Sequence, residues 1–177
     1  MAAAITPAFT AQKDLSQTHT IALFVSDKPG VLVRVALVFS RRAFNIESLV
    51  VSPAAEGHFS RMTITCSGDR ETLEQVVKQL AKLVDVVHAI DHTANLSYQV
   101  EIALVKLEAS LDERNEILQI AEHYKARVVD FGPDSLILQA YGSSEKLDPL
   151  IELLRPFRLV ELVRSGKLLM ARGKRVT

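Results

Sequence analysis

Residues Val25 to Leu49 read VSDKPGVLVRVALVFSRRAFNIESL, and this stretch decides the fold. An apolar strand ends in Asp27-Lys28-Pro29-Gly30, an amphipathic segment follows, and a second strand opens on Asn45-Ile46. Leu32, Val35, Ala36 and Phe39 recur at helical spacing, which predicts a helix over 30–42. Pro29 stands beside its first turn, where a missing N–H costs nothing. A strand, a tight glycine turn and a helix start leave several backbone N–H groups unpaired in one small space. Such a pocket suits a carboxylate better than it suits catalysis, and points to a sensor.

Working outward, the period of the apolar residues keeps changing in a regular order. Residues 21–25 read as a strand, and 46–53 and 58–67 are strand-like around the connection Ala54-Ala55-Glu56-Gly57. A helix is predicted over 70–83, with Leu73, Val76, Val77 and Leu80 on one face and Asp69 as its N-cap. Residues 84–92 close the unit as a strand, giving the order βαββαβ.

A polar break, Thr93-Ala94-Asn95-Leu96-Ser97, precedes a restart of the same order. Residues 100–107 read as a strand, and Ser110-Leu111-Asp112-Glu113 is a capping box that opens a helix to about Tyr124. Strands over 127–131 and 135–141 flank the turn Gly132-Pro133-Asp134. Ser143 caps a helix that must end before Pro156, and 158–163 is the last long strand. The chain then bends at Ser165-Gly166 toward a short final strand ending near Met170. The fold class is therefore α+β, with two tandem ferredoxin-like sandwiches of about 75 residues, each one sheet with two helices on one face. The domains divide as a flexible extension over 1–18, a first domain over 19–93 and a second over 98–177. Units this small leave a sheet face or edge to cover, and association is the remedy.

Composition narrows the function. The 177 residues carry 21 basic and 21 acidic side chains, so no electrostatic footprint for nucleic acid or an anionic membrane stands out. Hydrophobic residues make up 48% but aromatics only 6%, so the cores are aliphatic. No apolar run approaches the roughly 18 residues of a membrane span. The first eighteen residues lack a basic start and a sustained apolar stretch, which argues against a secretory signal and for a cytoplasmic protein. Cys66 has no partner for an intrachain disulfide and sits in an alternating strand, as a small buried hydrophobe would. The five histidines show no metal spacing, although His88 and His92 can share a strand face. No Ser-His-Asp order, phosphate loop or dinucleotide fingerprint is present, so nothing reads as catalytic.

The segment from Thr20 to His92 resembles the ACT domain, a ferredoxin-like module that binds amino acids between paired domains. Asp27-x-Pro29-Gly30-Val31-Leu32, Arg34-Val35, Phe39-Ser40, Asn45-Ile46-Glu47-Ser48-Leu49, Ser60-Arg61-Met62-Thr63 and Lys82-Leu83-Val84-Asp85-Val86 follow in one order. That order is similar to the small regulatory subunits of acetolactate (acetohydroxyacid) synthase. The second half agrees through Leu104-Val105-Lys106, Arg164-Ser165-Gly166 and Arg172-Gly173. The resemblance implies a non-catalytic regulatory subunit with no cofactor of its own. It also implies a separate catalytic subunit carrying thiamine diphosphate, magnesium and FAD, which this chain activates. Feedback inhibition by branched-chain amino acids, valine first, is implied with it, as is a homodimer through the ACT domain.

By the same resemblance the ligand-binding residues are Asp27, Pro29, Gly30, Val31 and Leu32 from one subunit and Asn45 and Ile46 from its partner. Gly30 either lets a ligand approach the backbone or meets a turn angle that only glycine tolerates. Asp27 stands where many relatives carry Asn; it can pair with an ammonium and cap the helix, or repel a carboxylate. Val33 and Ala43 replace a common Ser and Gly, Val33 on the first helical turn and Ala43 at the helix end. A left-handed cap there costs Ala roughly 1 kcal/mol against Gly. Arg61 falls in a strand beside acidic neighbours, placed to bind the catalytic subunit or fix the sheet. A free-standing ACT-type sensor acting on another partner is the alternative function. An RNA-binding reading of the same fold lacks the stacking aromatics and the basic charge it needs.

Overall fold

The computed structural model describes residues 17–94 and 97–177, and the period-two segments pair in it as two antiparallel sheets. The first unit runs β1 (Gln17–Ser26), α1 (Val31–Arg41), β2 (Asn45–Pro53), β3 (Phe59–Gly68), α2 (Arg70–Leu80) and β4 (Val86–Asp91). Its sheet has the order β2-β3-β1-β4. The second runs β5 (Ser97–Glu108), α3 (Leu111–His123), β6 (Arg127–Phe131), β7 (Ser135–Gly142), α4 (Ser144–Leu154) and β8 (Arg158–Arg164). Its order, β6-β7-β5-β8, repeats the first, and β9 (Leu168–Ala171) pairs the opening residues of β5. Both units are thus the ferredoxin-like sandwiches that the alternating periods predict.

Of the expected extension over 1–18, residues 1–16 lie outside the described residues, while Gln17 and Thr18 already pair with Gly68 and Ser67. The strand reaches back because Thr and His fit a half-polar pleated face as well as Val does.

Each core sits between a sheet face and its two helices. Ile21, Leu23, Val25, Met62, Ile64 and Cys66 face Val31, Val35, Phe39, Leu73, Val76 and Leu80. Full burial of each such aliphatic chain contributes about 1.5–3 kcal/mol. In the second unit Val105, Leu107, Leu136 and Leu138 meet Ile117 from α3 and Leu147, Leu150 and Leu154 from α4. The caps are where the sequence puts them: Asp69 accepts from the Thr72 amide at 2.8 Å, and Ser110 and Glu113 form the complete capping box. Ser143 is the N-cap of α4, though its side chain makes no capping bond.

One helix face departs from the periodicity. α1 buries Val31, Val35, Val38 and Phe39, while Leu32, Val33 and Leu37 stay 42%, 61% and 46% exposed. Every residue from Val31 to Phe39 except Arg34 is apolar, so spacing alone could not choose between two stripes.

The reverse face of the first sheet is also covered. Thr20, Ala22, Thr63 and Thr65 lie on it and are buried. The chain after β8 returns to this face: Gly166 stacks on Ser48 and Val50, and the Thr177 main-chain oxygen accepts from Arg61 and lies 2.9 Å from the His88 ring nitrogen. Arg61 also rests over the Phe24 ring, which stacks between Phe59 and His88. Its partners are therefore a ring and the main-chain oxygen of Thr177, with no Asp or Glu paired to it among the described residues.

Candidate functional site

The chain leaves β1 through a tight sequence of backbone bonds. The Asp27 amide donates to the His58 carbonyl at 2.7 Å and the Lys28 amide to Ser26 at 3.1 Å. Gly30 then turns with φ +83°, a left-handed conformation that glycine adopts without strain, and serves as N-cap of α1. The Arg34 amide takes the Gly30 carbonyl at 3.1 Å, and the Val31 amide makes only a long 3.4 Å bond to Lys28. The amides of Leu32 and Val33 have no acceptor among the described residues, as first-turn geometry requires. No acidic side chain occupies this first turn, so the positive end of the helix stays open.

Asp27 does not cap α1. The N-cap lies three residues later at Gly30 and carries no side-chain bond, because the left-handed turn sets the helix start beyond the reach of Asp27. Its carboxylate is exposed and engages no partner among the described residues. Arg34 completes the turn instead. One guanidinium nitrogen lies 3.3 Å from the point where a Gly30 side chain would begin, and another pairs with Asp85 at 2.6 Å. The sequence pattern includes Arg34 but does not place it in the site, although its position four residues after Gly30, on the same helix end, is a usable signal.

The second cluster opens β2. Asn45 is exposed and pairs across the sheet with Ser67, while Ile46 packs partly against the first core. Ala43, just before them, holds φ +54°, the left-handed C-terminal turn expected at that position. The register then slips between Ile46 and Ser48, leaving Glu47 as a bulged residue whose carboxylate accepts from the Ser67 hydroxyl.

These two clusters do not meet within the chain. Asn45 is level with Ser67 and hence with Thr18 at the start of β1, whereas Gly30 follows Ser26 at its far end. At about 3.3 Å per residue the span from Thr18 to Ser26 is roughly 26 Å. β2 is the outer strand of its sheet, so its free edge lies beside the second cluster.

The remaining candidates are quiet. The Cys66 thiol is buried and pushed up to about 12, first by loss of solvent and then by the charges of Glu47 and Asp91, so it stays a protonated core group. His88 is stacked on Phe24, and His92 lies past the end of β4. No group of three or more His, Cys, Asp or Glu able to hold a metal occurs among the described residues.

Comparison with known proteins meets this geometry at both halves. Residues 21–88 match the AHAS small subunit-like ACT domain, and residues 100–173 match the small subunit of acetolactate synthase. The acetolactate synthase small subunit of Mycobacterium bovis is 42% identical over 159 residues, covering 90% of this chain and 95% of that protein. The chain belongs to the acetolactate synthase small-subunit family. A probable small subunit from Methanothermobacter thermautotrophicus is 45% identical over 159 residues, covering 89% of this chain and 95% of its own. The crystal structure of the acetolactate synthase small subunit from Thermotoga maritima superposes with a TM-score of 0.77 at 32% identity, covering 89% of this chain and 98% of that one. The first sandwich is thus an ACT domain of a small subunit. No helix of the described residues is long and apolar enough to cross a membrane.

Proposed function

We propose that this chain is the regulatory subunit of a cytoplasmic acetolactate synthase, working as a homodimer paired through its ACT domains. Its partner is the separate catalytic subunit carrying thiamine diphosphate, magnesium and FAD. The chain activates that subunit and relays feedback inhibition by a branched-chain amino acid, valine first. The domain division is 19–93 and 98–177, with the extension before it.

The observation that carries this reading is the separation of Gly30 from Asn45 along one sheet. A two-fold axis beside β2 reverses the strand direction, so the Gly30 end of one protomer faces the Asn45 end of the other. The exposed Leu32, Val33 and Leu37 on α1 and Val51 on β2 supply apolar surface for such a contact. In this pocket the amides of Gly30, Val31 and Leu32 hold the effector carboxylate, with Pro29 fixing the turn and Arg34 adding charge. Asp27 takes the ammonium, and Asn45 and Ile46 close the site from the partner.

The effector acts by linkage. An amino acid bound across the dimer favours one arrangement of the two ACT domains, and the catalytic subunit responds to that arrangement. Gly30→Asp tests the assignment in the reconstituted holoenzyme, because a carboxylate would then fill the anion pocket. Valine inhibition should vanish while activation of the catalytic subunit persists. Retained valine sensitivity would remove Gly30 from the site.

A further inference from the structure

Between the two domains lies a cavity of about 690 Å³, well separated along β1 from the Gly30 turn. The first domain contributes Glu47 and Ser48 from the bulged start of β2 and Thr65 from β3; the second contributes Lys167 from the loop after β8. We propose that this cavity is a second ligand site, taking a zwitterionic α-amino acid with an uncharged side chain.

Three observations carry the proposal. The Thr65 side chain is 95% buried by its surroundings, at 5% exposure, and its hydroxyl has no hydrogen-bond partner. A buried hydroxyl left unpaired is costly, and Thr65 stands in the wall of the cavity, a space large enough to hold a polar partner. Lys167, also in the wall, enters no ion pair among the described residues. A carboxylate bound in the cavity would pair with Lys167.

The other charges on the wall are already committed. Arg164 binds Glu101 through two nitrogens and Asp148 at 2.6 Å, and Ser144 gives its hydroxyl to Glu101 at 2.7 Å. What remains is Glu47, an acid held only by the Ser67 hydroxyl. The lining carries three carboxylates against two cations, so a simple anion meets net repulsion. A molecule bearing both an ammonium and a carboxylate meets Glu47 on one domain and Lys167 on the other.

The site is placed to regulate. Gly166, adjoining Lys167, sits against Ser48 and Val50, so a ligand here fixes the second domain to β2. That strand begins with Asn45 and Ile46, and the bulge at Glu47 stands between them and the cavity. Occupancy of the cavity therefore bears on the strand that supplies half of the proposed effector pocket.

Calorimetric titration of the full chain tests this, with L-valine as the probe and isobutylamine and isovalerate as its ammonium-only and carboxylate-only counterparts. Gly30→Asp protein should still bind valine at one site per chain, and each single-charge probe should bind at least about tenfold more weakly. Lys167→Met and Thr65→Val should each remove this site, while Lys167→Arg and Thr65→Ser keep it and show that the fold is intact. No valine bound by Gly30→Asp, or binding unchanged by Lys167→Met, overturns the cavity site. If Gly30→Asp binds as the parent does and Lys167→Met abolishes everything, the cavity stands and the ACT pocket falls.

Discussion

Gly30 and Asn45 stand at opposite ends of the same sheet, one beyond Ser26 at the end of β1 and the other level with Thr18 at its start. A pocket drawing on both must take one residue from each of two chains. On the proposed reading, association through the ACT domain is a condition of sensing, and the second domain is left to the cavity and the catalytic partner.

The exposed stripe of α1 should be the first casualty of a charge. Leu37, 46% exposed and away from both the Gly30 turn and the core, is the position to change. Leu37→Lys is expected to shift light-scattering mass from dimer toward monomer, since a buried unpaired ammonium is expensive at an interface. Valine affinity should fall with the dimer. An unchanged mass would move the interface away from α1.

Arg164 should matter for stability more than an ordinary surface arginine. Burial disfavours its charge, yet the bonds and charges of Glu101 and Asp148 hold its pKa above the usual arginine range. The Glu101 side chain is only 5% exposed. Arg164→Met strands that carboxylate, and urea unfolding should show a loss of about 3 kcal/mol. Arg164→Met combined with Glu101→Gln should recover part of the loss, because the uncompensated charge is gone.

His92 gives the fold a pH dependence. Its ring is 4% exposed, both nitrogens lack partners, and burial lowers its pKa against a smaller opposing pull from Asp91. The folded chain thus holds the imidazole neutral, while the unfolded chain takes a proton near 6.5. The contribution is complete above that value and is lost as pH falls through the window between 6.5 and the lower folded value. Thermal unfolding from pH 8 to pH 5 should show this decline, and His92→Phe should flatten it. An equal slope in the variant would assign the decline to other groups.

Much of this architecture was legible because its signals are local. The capping box at Ser110, the cap at Asp69 and the left-handed turn at Ala43 each depend on neighbours within a few residues, and all appear as read. The inward face of α1 was ambiguous because its two stripes are equally apolar. Of the roles open to Asp27, the cap is the one that fails, because the left-handed turn at Gly30 moves the helix start, a matter of one backbone angle. Pro149 lies on the exposed side of α4 without ending it, so the local rule that proline breaks a helix does not place this boundary. The cavity was out of reach altogether. Thr65 and Lys167 are brought together only by the return of the chain after β8, and no short-range pattern encodes that.

A mixed dimer decides the central claim most directly. Gly30→Asp and Asn45→Ala chains, each alone, lose the valine site that depends on both subunits, read in a Lys167→Met background to silence the cavity. Co-refolded in equal amounts, random two-fold pairing makes half of the dimers mixed, and each mixed dimer rebuilds one of its two pockets. Valine binding should return to about a quarter of the parental capacity with parental affinity. No recovery in the mixture, with mixed dimers shown to be present, would mean that the pocket is not shared between subunits.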